Sequence, residues 1–91
     1  SMIRVILVDD HAIIRNGIRV LLQDEPDLTV VGEAGNGLEL LALLAHTPAD
    51  VVLMDMNMPG MDGHQATLRL QQEQPQIRVV VLSMLDHEEY V

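Results

Sequence analysis

The amino-acid sequence predicts an α/β fold built on a parallel sheet. Four short apolar runs, "IRVILV" (3–8), "LTVVGEA" (28–34), "DVVLM" (50–54) and "IRVVVLS" (77–83), alternate with segments of helical periodicity. The runs are apolar at nearly every position instead of every second one, the pattern of strands covered by helices on both faces. Each is also too short and too rich in β-branched residues to be a helix.

The first strand ends where polar "DDH" (9–11) interrupts it. From Ala12 to Asp24, Ile14, Ile18, Leu21 and Leu22 recur with the spacing of one helix face, and Pro26 lies just past the end. After the second strand, "GNG" (35–37) supplies a turn. Leu38, Leu41, Ala42 and Ala45 then mark the stripe expected to face the core, and Pro48 closes that helix. The third strand runs into a long loop, "MNMPGMDG" (56–63), followed by a shorter, less amphipathic helix over 64–72 that ends before Pro75. Beyond the fourth strand, Asp86 is placed to cap a further helix. There are no internal repeats, low-complexity tracts or interdomain linkers.

Ninety-one residues make one domain with room for one core. Apolar residues form 48% of the chain and aromatic residues 1%, so that core is aliphatic. A net charge of −9 argues against contact with nucleic-acid phosphates and suits cations or basic partners. The absence of cysteine excludes disulfides and thiolate metal sites. No apolar run reaches the roughly 18 residues that suggest a membrane span, and no signal sequence opens the chain, so a cytoplasmic location is expected. Ser1 ahead of Met2 reads as an expression scar and is set aside.

Polar groups close three of the four strands: Asp9 and Asp10 the first, Asp55 the third, Ser83 the fourth. In an open parallel sheet, functional residues gather beyond the carboxyl ends of the strands, where the βα loops form a crevice. Singly, a strand-end aspartate is a loop residue or a helix cap. Asp55 is harder to read that way, because it follows the apolar run Val51 to Met54 and precedes Met56 and Pro59 with no helix beginning nearby. With the first and third strands as neighbours, three carboxylates lie within a few ångströms, and such like charges disfavour joint ionisation. A hard divalent cation compensates them. Mg²⁺ prefers oxygen ligands and takes one or two carboxylates plus a phosphate oxygen and waters; Mn²⁺ is the other candidate.

Jointly, "ILVDDHAIIRNGIRVLL" (6–22), "VVGEAGNGLELL" (30–41), "DVVLMDMNMPGMDG" (50–63) and "IRVVVLSMLDHEEYV" (77–91) resemble the receiver domain of bacterial two-component response regulators, of the LuxR/FixJ kind that is fused to a helix-turn-helix. The resemblance implies a flavodoxin-like three-layer sandwich with strand order 2-1-3-4 and the family's fifth strand and last helix absent. On that reading residues 2–91 are a partial receiver domain, without the output domain. The same match implies that Asp55 accepts a phosphoryl group from a sensor histidine kinase. Asp10 and Asp55 would supply carboxylate oxygens to Mg²⁺, Asp9 would contribute directly or through water, Asn57 would offer its backbone carbonyl, and Ser83 would hydrogen-bond the acyl phosphate. Phosphorylation would then control a DNA-binding output domain in the parent protein.

The chain departs from the family pattern in having no lysine, whereas the family places one at the end of its fifth strand to pair with the phosphoryl group. Without that strand, Val79 to Leu82 would form an apolar sheet edge, and self-association through it is expected. Other residues carry plainer readings. Met54, Met56, Met58 and Met61 are packing residues, Tyr90 packs on the fourth helix, and His11 is a solvent-facing helix-start residue. His46, His64 and His87 lack metal spacing. Two further functions compete. One is a scaffold that is never phosphorylated. The other is a Mg²⁺-dependent phosphatase of the haloacid-dehalogenase type, whose second aspartate, two residues after the nucleophile, is replaced here by Asn57. The chain is expected to signal and not to act as an enzyme in its own right.

Overall fold

Strand β1 (Ile3–Val8) lies inside the sheet, between β2 (Leu28–Ala34) and β3 (Val51–Asp55), with β4 (Arg78–Leu82) beyond β3. The computed structural model describes the backbone over residues 2–55 and 63–82 and side chains over 2–54 and 65–81. All described strand pairs are parallel, and the order β2-β1-β3-β4 is the expected one. Helices α1 (Ala12–Leu22), α2 (Gly37–Leu44) and α3 (Gly63–Glu73) form the crossovers. With right-handed crossovers this order sends α1 to one face of the sheet and α2 and α3 to the other.

The core follows that division. Ile6, Val8, Val52 and Met54 alternate onto the α2/α3 face and pack with Leu40, Leu44, Ala66, Leu70 and Ile77. Val5 and Leu7, equally buried, point to the opposite face. Both faces of β1 are therefore dry, which is why its run is apolar without alternation. Truncating a fully buried side chain such as Leu40 removes transfer energy and leaves a cavity, at about 2–5 kcal/mol.

Two helices present different faces from those the periodicity suggests. In α2 the buried residues are Gly37, Leu40 and Leu44, while Leu38, Ala42 and Ala45 of the expected stripe are exposed. This helix is apolar on nearly all sides, so spacing cannot choose its inward face; packing on β2 and α3 does. In α1, Ile14, Ile18 and Leu22 are half-buried as expected, but Leu21 is 75% exposed. The inward face is rotated toward Arg15 and Arg19, whose guanidinium groups reach Glu33 of β2. The "GNG" turn also does more than turn: Asn36 caps α2, its Oδ1 accepting the Glu39 N–H at 2.9 Å, while the Gly35 N–H donates to Glu39 Oε1 at 2.8 Å.

At the amino ends of the strands, Arg4 of β1 clamps Asp50, the residue before β3. Its backbone N–H and Nε donate to Asp50 Oδ2 at 2.8 and 3.1 Å, and Nη2 donates to Oδ1 at 3.1 Å. The side-chain pair is bidentate, and the backbone continues the link through Asp50 N–H to Arg4 O and Arg78 N–H to Asp50 O. No helix among the described residues is long and apolar enough to cross a membrane.

Two expectations test this fold. Hydrogen bonds from Arg4 hold the Asp50 carboxyl at about 2, below its ordinary 3.8. A carboxyl depressed in this way stabilises the fold fully above its unfolded pKa, and the contribution is lost as pH falls through the folded value. Asp50→Asn should thus lower urea stability by an amount that is constant above about pH 5 and shrinks toward pH ~2; a pH-independent difference would show that the charge is immaterial. Gly17, inside α1, has nothing within 4 Å of where a Cβ would stand. Gly17→Ala should raise stability by about 1 kcal/mol in urea unfolding, because alanine loses less backbone entropy in a helix.

Candidate functional site

Val8 of β1 and Met54 of β3 are partners in the sheet register. Asp9 and Asp55, one residue further along each strand, therefore emerge at the same carboxyl end of adjacent strands, which neighbouring parallel strands hold about 5 Å apart. Asp55 is the last residue of β3 and pairs with Leu82 of β4. That point is where the chain reverses its direction of winding, the position at which open parallel sheets place their ligands. Sequence reasoning ended the third strand at Met54; the strand includes Asp55, which ties its backbone into the sheet.

The β1–α1 turn carries the described part of the site. Asp9 is 5% exposed, a buried carboxylate at a strand end. Its Oδ1 accepts the His11 N–H at 2.7 Å and lies 3.0 Å from His11 Nδ1, which is also 2.8 Å from Asp10 Oδ1. The plainer reading of a strand-end aspartate, a helix cap, does not describe Asp9. Instead His11 occupies the N-cap position without a side-chain cap, and Asp9 folds over the turn ahead of it. His11 is largely solvent-facing, as expected, but its ring also lies against both carboxylates.

Ligand atoms of Asp9, Asp10 and His11 all fall within 4.8 Å of one another. Two carboxylates in one half-buried turn suit a hard divalent cation by donor type, since such ions take oxygen ligands. Asp9 and Asp10 are the described residues that would hold it. Even a protonated imidazole carries one positive charge against two carboxylates, so a cation would also answer the charge of the turn.

Ser83 and the carbonyl of Asn57 lie outside the described residues, as do Met56, Met58, Met61, Asp86, His87 and Tyr90. Met54 is fully buried, in accord with its packing role, and the Thr67 hydroxyl of α3 donates to its sulfur at 3.7 Å.

One part of the surroundings escaped the sequence reading. Glu33 of β2 is gripped by two arginines from successive turns of α1: Arg15 Nε donates to Oε1 at 3.0 Å and Arg19 Nε to Oε2 at 2.8 Å. The Arg19 hydrogen bond is the main reason that the Glu33 carboxyl titrates below its ordinary range; partial burial opposes it, and Arg15 assists. Arg15 reaches further and donates through Nη1 to the backbone carbonyl of Asp9. The available signal was a lone carboxylate in an apolar strand, with two arginines four residues apart on a preceding helix.

The comparisons with known proteins agree with this geometry. A family model described as "Response regulator receiver domain" matches residues 5–91. The nitrate/nitrite response regulator protein NarL of Escherichia coli K12 is 41% identical over 87 residues, covering 96% of this chain and 40% of that protein. Response regulator GacA of Pseudomonas aeruginosa is 44% identical over 89 residues, covering 98% and 42% respectively. The chain thus spans about two fifths of the length of these relatives. A crystal structure of a LuxR-family two-component response regulator from Aurantimonas sp. SI85-9A1 superposes with a TM-score of 0.86 at 38% identity, over 92% of this chain and 60% of that one.

Proposed function

This chain belongs to the response regulator receiver domain family, and from that membership we propose that Asp55 is its phosphoacceptor. It is a signalling domain of the two-component type, similar to LuxR-family regulators. The observation that carries the proposal is the β1–β3 register, which brings the Asp9–Asp10 turn and the Asp55 position to one end of the sheet.

In the proposed reaction the Asp55 carboxylate attacks the phosphorus of a phosphohistidine on a sensor kinase. The new O–P bond replaces the breaking N–P bond, and the imidazole leaves. Asp9 and Asp10, with Asp55 and the Asn57 carbonyl, would hold Mg²⁺, or Mn²⁺ in its place, and Ser83 would donate a hydrogen bond to the phosphoryl oxygens. The bound ion supplies neutralisation of charge on the transferring group. What these residues contribute is position: Asp55 is presented by a strand whose backbone is fixed on both sides, and Asp9 is buried in the adjoining turn. The 91 residues contain no lysine, so further positive charge comes from the cation, from an arginine or from outside these residues. In a longer, cytoplasmic parent protein the acyl phosphate would shift a two-state equilibrium that controls a DNA-binding domain. This chain, at net charge −9, contributes no DNA contact of its own.

Acetyl phosphate with Mg²⁺ should give one phosphoryl adduct by intact-mass spectrometry, absent from Asp55→Asn and absent when the cation is chelated. Beryllofluoride should produce the same dependence in amide chemical shifts. Lack of any Mg²⁺-dependent response would favour the scaffold.

One observation supports that second reading. Among the described residues nothing pairs with the outer edge of β4, where Val80 and Val81 are 39% and 45% exposed. An apolar edge recruits other strands. Light scattering on these 91 residues should therefore show mass rising with concentration, and a clean monomer at high concentration would count against it.

A further inference from the structure

We propose that Arg15 is a positioning residue for the acidic turn, tethering the Asp9–Asp10 peptide to the α1–β2 interface so that both carboxylates face a divalent cation. The proposal rests on the reading of that turn as a cation site. Besides the contacts of the His11 ring with Asp9 and Asp10, three hydrogen bonds bear on the backbone of the turn: the Asp9 N–H donates to the Ala34 carbonyl of β2 at 3.1 Å, the His11 N–H donates to Asp9 Oδ1, and Arg15 Nη1 donates to the Asp9 carbonyl. The first two are made by backbone N–H groups and survive side-chain changes elsewhere. Arg15 supplies the third from a side chain on another element.

The carbonyl that Arg15 holds belongs to the planar peptide joining Asp9 to Asp10. Fixing that plane restrains ψ of Asp9 and φ of Asp10, and so the direction in which the Asp10 carboxylate leaves the chain relative to that of Asp9. The guanidinium is itself anchored, because Nε donates to Glu33 Oε1 at 3.0 Å and the Arg15 side chain is 21% exposed. Arginine suits this role because its fork donates in two directions at once, whereas the single ammonium of lysine on a flexible stem does not hold the same geometry.

Arg19 provides an internal control. It binds the same Glu33 from the next turn of the same helix, and no hydrogen bond to the acidic turn is made by its side chain. The two arginines thus share a structural role and differ in reach.

The experiment compares wild type, Arg15→Gln, Arg15→Lys and Arg19→Gln by urea unfolding, by metal-free amide spectra and by titration with Mg²⁺ alone. Arg15→Gln should displace the Asp10 and His11 amide resonances and weaken Mg²⁺ binding by about tenfold, the low end of the loss when an outer-shell partner is removed. Arg15→Lys should recover part of both, and Arg19→Gln should lose stability while keeping the wild-type turn shifts and affinity. Equal behaviour of Arg15→Gln and Arg19→Gln in turn shifts and affinity would overturn the proposal. Should Arg15→Gln fail to fold, Arg15→Lys decides: wild-type shifts and affinity would overturn it, and displaced shifts with weakened binding would sustain it. Absence of Mg²⁺ binding by wild type would refute the cation reading separately, and the metal-free shifts alone would then judge whether Arg15 positions the turn.

Discussion

Pairing of β1 with β3 sets Val8 beside Met54 and thereby lays two strand ends, far apart in the chain, against each other. The rest of the site depends on this register. A slip of one residue would reverse the face of every side chain in the strand, moving Val52 and Met54 out of the core. Burial of those side chains with Ile6 and Val8 is what makes the slip expensive. Core packing at one level thus secures the placement of charged groups at the next.

Charge is arranged so that the two ends of the sheet behave differently. At the amino end, Arg4 and Asp50 form a closed, fully paired clamp across β1 and β3. At the carboxyl end, the His11 imidazole lies between the Asp9 and Asp10 carboxylates. The paired end serves cohesion, and the acidic end is the one proposed to hold a cation. Between them, α1 docks through Glu33 as well as through apolar contact, and none of its residues is fully buried.

Much of this was legible in the sequence because local patterns report local burial. All seven described elements appear in the expected order, and the β1–β3 register brings Asp9 and the backbone of Asp55 to one end of the sheet. Reading failed where a pattern was degenerate. α2 offers leucines on several sides, so Leu38 was assigned to the core although Leu40 and Leu44 occupy it. Leu21 fits the spacing of α1, yet arginines claim the adjoining arc of that helix. Glu33 and Arg15 went unnoticed because an ion pair across elements leaves no periodic trace.

The sequence by itself determined the alternation of strands and helices, the aliphatic core, the acidic strand ends and the family. Tertiary structure alone decided the register between strands, which helix faces turn inward, and that one guanidinium spans from Glu33 to the Asp9 carbonyl. The division has a physical cause. Periodicity and turn chemistry act between residues a few positions apart, whereas register and ion pairing act between groups that only the folded topology makes neighbours, as with Arg4 and Asp50, 46 residues apart.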